Sequence, residues 1–93
     1  MMNLILVAYD IHLDARRNRL FRLLKDFGFA VQLSVFECWL KYEDYQRLIK
    51  EIKNLKLESQ DAVSIYRICE NCGQRIVRLG EKKPYSAPQT IIF

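Results

Sequence analysis

The apolar run LILVAY ends at one acid, Asp10, and two arginines, Arg16 and Arg17, stand shortly after it. A carboxylate at the mouth of a strand has two readings. It can end the strand and tie the next turn through its side chain. It can also bind a hard cation, because magnesium prefers oxygen ligands, usually takes one or two protein carboxylates and leaves its remaining positions to water and phosphate. One Asp per chain is thin for such a centre. Near a two-fold axis, however, Asp10 would meet its own copy, and two carboxylates could share one ion. His12 and Asp14 are close enough in sequence to offer a second contact or a general base. A solvent-facing loop His and a helix-capping Asp are the commoner roles for such residues.

Arg16, Arg17, Arg19, Arg22 and Lys25 make the next segment strongly basic. At 100° per residue Arg19, Arg22 and Lys25 fall opposite the stripe of Leu20, Leu23, Leu24 and Phe27, as a solvated face does. Arg16 and Arg17 project on the apolar side, but in the first turn, where they can face Asp10 and any phosphate held there. The planar fork of arginine binds phosphate bidentately. Two cations in a first helical turn oppose the macrodipole, so a compensating anion is expected, with Asp14 as part of it. The tetrapeptide CENC, Cys69 to Cys72, has the spacing of half a zinc site. The missing ligands would have to come from Cys38, His12 or a second protomer, and neither zinc nor a thioredoxin-like redox role is favoured.

The elements that must carry these residues are read from periodicity. Leu4 to Tyr9 is apolar throughout, as in a central strand covered on both faces. Asp14 is placed as N-cap of a helix that ends at Gly28. The stretch FAVQLSVFECWL is strand-like but changes phase near Ser34, which leaves open one bulged strand or two short ones. Tyr42, Tyr45, Leu48, Ile49, Ile52 and Leu55 mark a second helix. AVSIYRIC, a turn at ENCGQR and a returning IVRLG suggest a hairpin. After a loop with both prolines the chain closes on TIIF.

The 93 residues make one domain, 1–93, with 51% hydrophobic and 28% charged residues, the balance of a globular protein rather than a disordered tail. A chain this short buries only about 60 to 65% of its unfolded surface, so dimerisation would help it. The net charge of +4 is a mild bias toward polyanions. Three cysteines, an odd number, point to reduced thiols. No apolar run reaches the roughly 20 residues of a membrane span. MMNLILVAY lacks a signal peptide's basic flank and cleavage site, so no membrane association and a cytoplasmic location are expected. Two helices on one face of a small antiparallel sheet give an α+β layout, most simply a ferredoxin-like (βαββαβ) sandwich with an extra C-terminal strand.

VAYDI, RRNRLFRLLKDFG, VQLSVFECWL, VSIYRIC with its Cys-containing turn and the terminal TIIF occur in an order and spacing that resemble the small Cas-two proteins of CRISPR adaptation modules. The resemblance covers nearly the whole chain. It implies a ferredoxin-like fold and a homodimer with facing sheets, in which the last strand, with Ile91, Ile92 and Phe93, pairs with the partner. The family's metal-binding and catalytic aspartate falls on Asp10 and its arginine pair on Arg16 and Arg17. Tyr9, Ser34 and Phe36 fall where they support the site or the dimer centre. The implied activity is magnesium-dependent endonuclease cleavage of single-stranded RNA, duplex DNA or both. The implied adaptation role is a bridge between dimers of the Cas-one integrase, with the cations of the first helix, Arg19 included, as a phosphate track. A non-catalytic DNA-binding scaffold and a toxin-type ribonuclease similar to virulence-associated protein D remain as alternatives.

Overall fold

A computed structural model describes residues 2–80. The first strand, β1 (Asn3–Asp10), is central. It pairs antiparallel with β3 (Val35–Leu40) on one side and with β4 (Ala62–Ile68) on the other, and β2 (Phe29–Gln32) extends the sheet beyond β3. The order β2-β3-β1-β4 is that of a ferredoxin-like sheet. Two helices, α1 (Asp14–Lys25) and α2 (Tyr42–Lys53), supply the connections between β1 and β2 and between β3 and β4.

The pleat divides β1 as period-two alternation requires. Ile5, Val7 and Tyr9 enter one core with Phe36, Cys38 and Leu40 of β3, Leu20 and Leu24 of α1, and Leu48 and Ile52 of α2. Val63 and Ile65 of the edge strand β4 pack against it. Helix α1 is amphipathic at i, i+4, i+8, with Arg16, Leu20 and Leu24 buried in line. Its end is fixed by steric closeness. A Cβ on Gly28 would lie 2.2 Å from the Glu37 carbonyl oxygen and 2.6 Å from Cys38 Sγ, so only glycine lets the chain pass this close to β3.

Two expectations change and one open choice is resolved. Asp14 is the first helical residue and not the cap. Leu13 occupies that position without a side-chain hydrogen bond, and Asp14 pairs with Arg17 one turn on. The phase slip in residues 29–40 is a reversal at Leu33 and Ser34 between two strands, with a register shift between Ala30 and Gln32 besides. The hairpin after β4 is absent. The chain makes one short helical turn, α3 (Glu70–Gly73), in which Cys69 Sγ accepts the Cys72 N–H at 3.4 Å. A Cβ on Gly73 would meet Trp39 Cη2 at 2.6 Å and Leu4 Cβ at 3.2 Å, which sets α3 on the sheet face opposite α1 and α2. Residues 76–79 then lie over that face without strand pairing, where Arg78 forms an ion pair with the buried Glu37. The terminal TIIF, with Ile91, Ile92 and Phe93, lies outside the described residues.

Candidate functional site

The C-terminal end of β1, the start of α1 and the β2–β3 turn meet around a cavity of about 500 Å³. Tyr9, Asp10, Ile11, Arg17, Asn18, Phe21, Leu33 and Ser34 line it. Asp10 is the last β1 residue, exposed, and opposite Ala62 in the β4 register. Its position follows from strand alternation: Tyr9 points into the core and Asp10 away from it.

Arg17 reaches the same cavity from α1 and is held in place there. Its Nη1 donates to the Ile11 carbonyl at 3.0 Å, and its Nη2 to Asp14 Oδ1. Tyr9 is buried beside it. Burial raises the Tyr9 phenol above its usual pKa, and the charge of Arg17 pulls the other way. Below them Phe36 has no exposed surface. Its ring lies 5.3 Å from Phe21, edge-on, and 6.4 Å from Tyr9, and so it backs two residues of the cavity wall from within the core. The Ser34 carbonyl accepts the Tyr9 N–H at 3.1 Å, tying the β2–β3 turn to the strand end.

Arg16 does not line this cavity. Its side chain is 9% exposed, with Nε donating to Asp61 Oδ2 at 2.6 Å and Nη2 lying 3.4 Å from Glu58 Oε1. The Asp61 carboxylate has no solvent exposure and also accepts the Glu58 N–H at 3.0 Å and the His12 N–H at 3.1 Å. These bonds hold its pKa down to about 2, the Glu58 amide contributing most, against the opposing effect of desolvation. The anion expected beside the two helix-start cations is thus supplied in three parts: Asp61 and Glu58 for Arg16, Asp14 for Arg17. Arg19 is on the exposed face of α1 outside the cavity, and His12 is exposed in the loop.

Sequence reasoning passed over Asn18, Phe21 and Leu33 at the cavity, and Asp61 behind it. The signal for two of them was available: Arg17, Asn18 and Phe21 follow Asp14 at i+3, i+4 and i+7, one face of a helix. Asp61 joins the loop only through long-range contacts, which no local spacing encodes.

Among the described residues no group of three or more His, Cys, Asp or Glu side chains could hold a metal ion, and Asp10 is the carboxylate that lines the cavity. One carboxylate beside open space fits magnesium, which keeps several waters, and does not fit zinc, which wants three or four protein ligands. No helix of the described residues is long and apolar enough to cross a membrane.

The sequence profile of the family described as CRISPR associated protein Cas2 matches residues 2–76, a span that contains the cavity and every strand of the sheet. The chain belongs to this family. One relative, from Chloroflexus aurantiacus, carries the name CRISPR-associated endoribonuclease Cas2 1 and is 38% identical over 87 residues, 92% of this chain and 94% of its own length. Among solved structures, a hypothetical protein, TT1823, from Thermus thermophilus superposes with a TM-score of 0.76 at 40% identity, covering 90% of this chain and 99% of the other. A similar chain has also been solved in a structure described as a partial Cas6-RT-Cas1–Cas2 complex. The matching chain there is 26% identical, with a TM-score of 0.66 and coverage of 84% and 91%.

Proposed function

We propose that the protein is an endonuclease of CRISPR adaptation that cuts phosphodiester bonds at a site built from two copies of the Asp10 cavity. The observation that carries this reading is the convergence of an exposed carboxylate and an anchored guanidinium on one cavity, at the end of the central strand. The name of the Chloroflexus relative supports ribonuclease chemistry. Asp10 from each protomer would hold a magnesium ion, which supplies polarisation of the scissile phosphate and a more acidic bound water. Arg17, fixed by the Ile11 carbonyl, presents its remaining donors to the phosphate oxygens and offsets the charge that grows on them. Phe21 and Tyr9, backed by the buried Phe36, give the cavity an apolar wall, which limits water around the reacting group.

The homodimer this requires would use the sheet face opposite α1 and α2. There Leu6, Val31 and Val35 border a second cavity, of about 490 Å³, with Ile76, Val77 and Leu79. Val77 and Leu79 are 78% and 91% exposed. Such side chains favour burial against another surface. The dimer would bridge the Cas-one integrase, a partnership supported by the complex in which a relative has been solved.

A DNA-binding scaffold without turnover is the second reading. It is favoured by the same count of one cavity carboxylate per chain, because a metal site that needs two protomers is lost whenever the two cavities fail to meet. Asp10→Asn decides between the readings. The expected result is loss of magnesium-dependent cleavage with melting temperature and duplex-DNA affinity kept. Undiminished cleavage by repurified Asp10→Asn protein would refute the nuclease assignment.

A further inference from the structure

The loop that leaves β1 must turn from the strand end into α1 while holding Asp10 in place; Ile11 is anchored by burial and by the bond from Arg17, but the two residues after it are not. The helix start has no side-chain cap, and His12 and Leu13 are exposed. Their restraint comes from the far side of the fold. Asp61, in the connection between α2 and β4, is shut off from solvent and uses both oxygens: Oδ1 on the His12 N–H, and Oδ2 on Arg16 Nε and the Glu58 N–H. The next residue, Ala62, is the register partner of Asp10. One carboxylate therefore clamps the segment after Asp10, the first turn of α1 and the strand beside Asp10.

We propose that Asp61 is the positioning residue of the Asp10 site, setting the carboxylate's approach to a bound cation through the His12 amide and the Arg16 guanidinium. The inference rests on the reading of Asp10 as a metal ligand. It gives Arg16 a role different from that of its neighbour: Arg16 is the cation that keeps the clamp closed, and Arg17 is the cation that faces the cavity. A buried carboxylate committed to three donors is costly to maintain unless those donors stay put, so the loop inherits the rigidity of the sheet.

The test compares Asp61→Asn, Asp61→Ala and Asp10→Asn by electron paramagnetic resonance titration with Mn²⁺ alone and by cleavage kinetics in Mg²⁺. Asn keeps the volume of Asp but turns an NH₂ toward one of the donors. Loss of a residue that orients a metal ligand typically weakens metal binding or activity about 10- to 100-fold. Asp61→Asn is expected to raise the Mn²⁺ half-saturation about tenfold and to lower kcat similarly, with KM for nucleic acid little changed. Leu48→Ala, a core truncation away from the loop, serves as control. Measured well below its melting temperature, it should keep the wild-type Mn²⁺ half-saturation, so a shift confined to the Asp61 variants is not loss of stability.

Wild-type Mn²⁺ binding in well-folded Asp61→Asn and Asp61→Ala, together with loss of binding in Asp10→Asn, would overturn the positioning role and leave the metal site standing. Wild-type Mn²⁺ binding in Asp10→Asn would instead overturn the metal site itself. Should both Asp61 variants fail to fold, hydrogen exchange on the unmodified protein decides. The His12 amide should be protected well beyond its exposed neighbour Leu13, and equal, fast exchange at both would overturn the clamp.

Discussion

Gly28→Ala is predicted to destabilise the protein by about 2 kcal/mol, although replacing glycine with alanine is normally mild. The new methyl carbon would stand 2.2 Å from the Glu37 carbonyl oxygen, 2.6 Å from Cys38 Sγ and 2.8 Å from Cys38 Cα. Ordinary contact begins near 3.4 Å, so the strand and the helix end must part by roughly 1.2 Å. Two of the three opposing atoms are β3 backbone, which cannot rotate away, and β3 is paired on both sides. Forcing one extra carbon into such a site costs about 1 to 3 kcal/mol, here at the upper end. The smaller entropy of the unfolded alanine chain returns about 0.4 to 1 kcal/mol. A net loss of about 2 kcal/mol lowers the melting temperature by about 8 to 16 °C in a domain of this size. Urea unfolding at matched protein concentration measures it, since an association equilibrium would otherwise contribute to the apparent stability. A loss below about 0.5 kcal/mol, or a gain, would refute the argument that β3 backbone fixes the end of α1.

The other predictions concern charge and thiols. Asp61 has a folded pKa of about 2 against 3.8 in its unperturbed state, so its stabilising contribution is complete above the higher value and lost as pH falls toward the lower. Unfolding midpoints of wild type and Asp61→Asn should therefore converge between about pH 4 and 2, and a constant gap across that window would contradict the clamp's ionic character. Burial raises the Cys38 thiol to about 12, whereas the Cys72 amide and thiol lower Cys69. Iodoacetamide mapped by mass spectrometry should label Cys69 first and Cys38 only on unfolding, and early Cys38 labelling would be inconsistent with its burial. Nucleic-acid affinity should fall steeply with salt, and Arg19→Gln should flatten the dependence by about one ion, as read by fluorescence anisotropy. An affinity independent of salt would exclude a phosphate track.

How far the sequence could be read depended on whether a residue's role was decided locally. Leu4 to Tyr9 declares itself as an unbroken apolar run and the two helices by their leucine spacing, and the succession of elements is enough for the ferredoxin-like layout. IVRLG is apolar enough to read as a strand, but residues 76–79 lie against the open sheet face without pairing into it. A short apolar segment can be drawn to a sheet face by burial as well as by a hairpin, and composition alone does not separate the two. The chain does turn at ENCGQR, but as one helical turn and not as a hairpin, and its Gly73 is required by the approach of Trp39, a residue distant in sequence.

Arg16 and Arg17 show where the chemistry escaped that reading. They are adjacent and identical, and both were placed beside Asp10, yet 100° of helix separates them. Arg16 falls in line with Leu20 and Leu24, so folding carries it inward. A buried guanidinium is tolerated only with partners that satisfy it, and Asp61 and Glu58 arrive from a loop more than forty residues on. Arg17 falls in line with Phe21 at the cavity, with Asp14 and the Ile11 carbonyl taking part of its donor set and solvent or a ligand left to take the rest. Exchanging either for lysine would separate the two roles. Lysine at position 16 cannot reproduce the fork shared by Asp61 and Glu58 and should act through stability and loop order. Lysine at position 17 keeps charge at the cavity and should act through turnover.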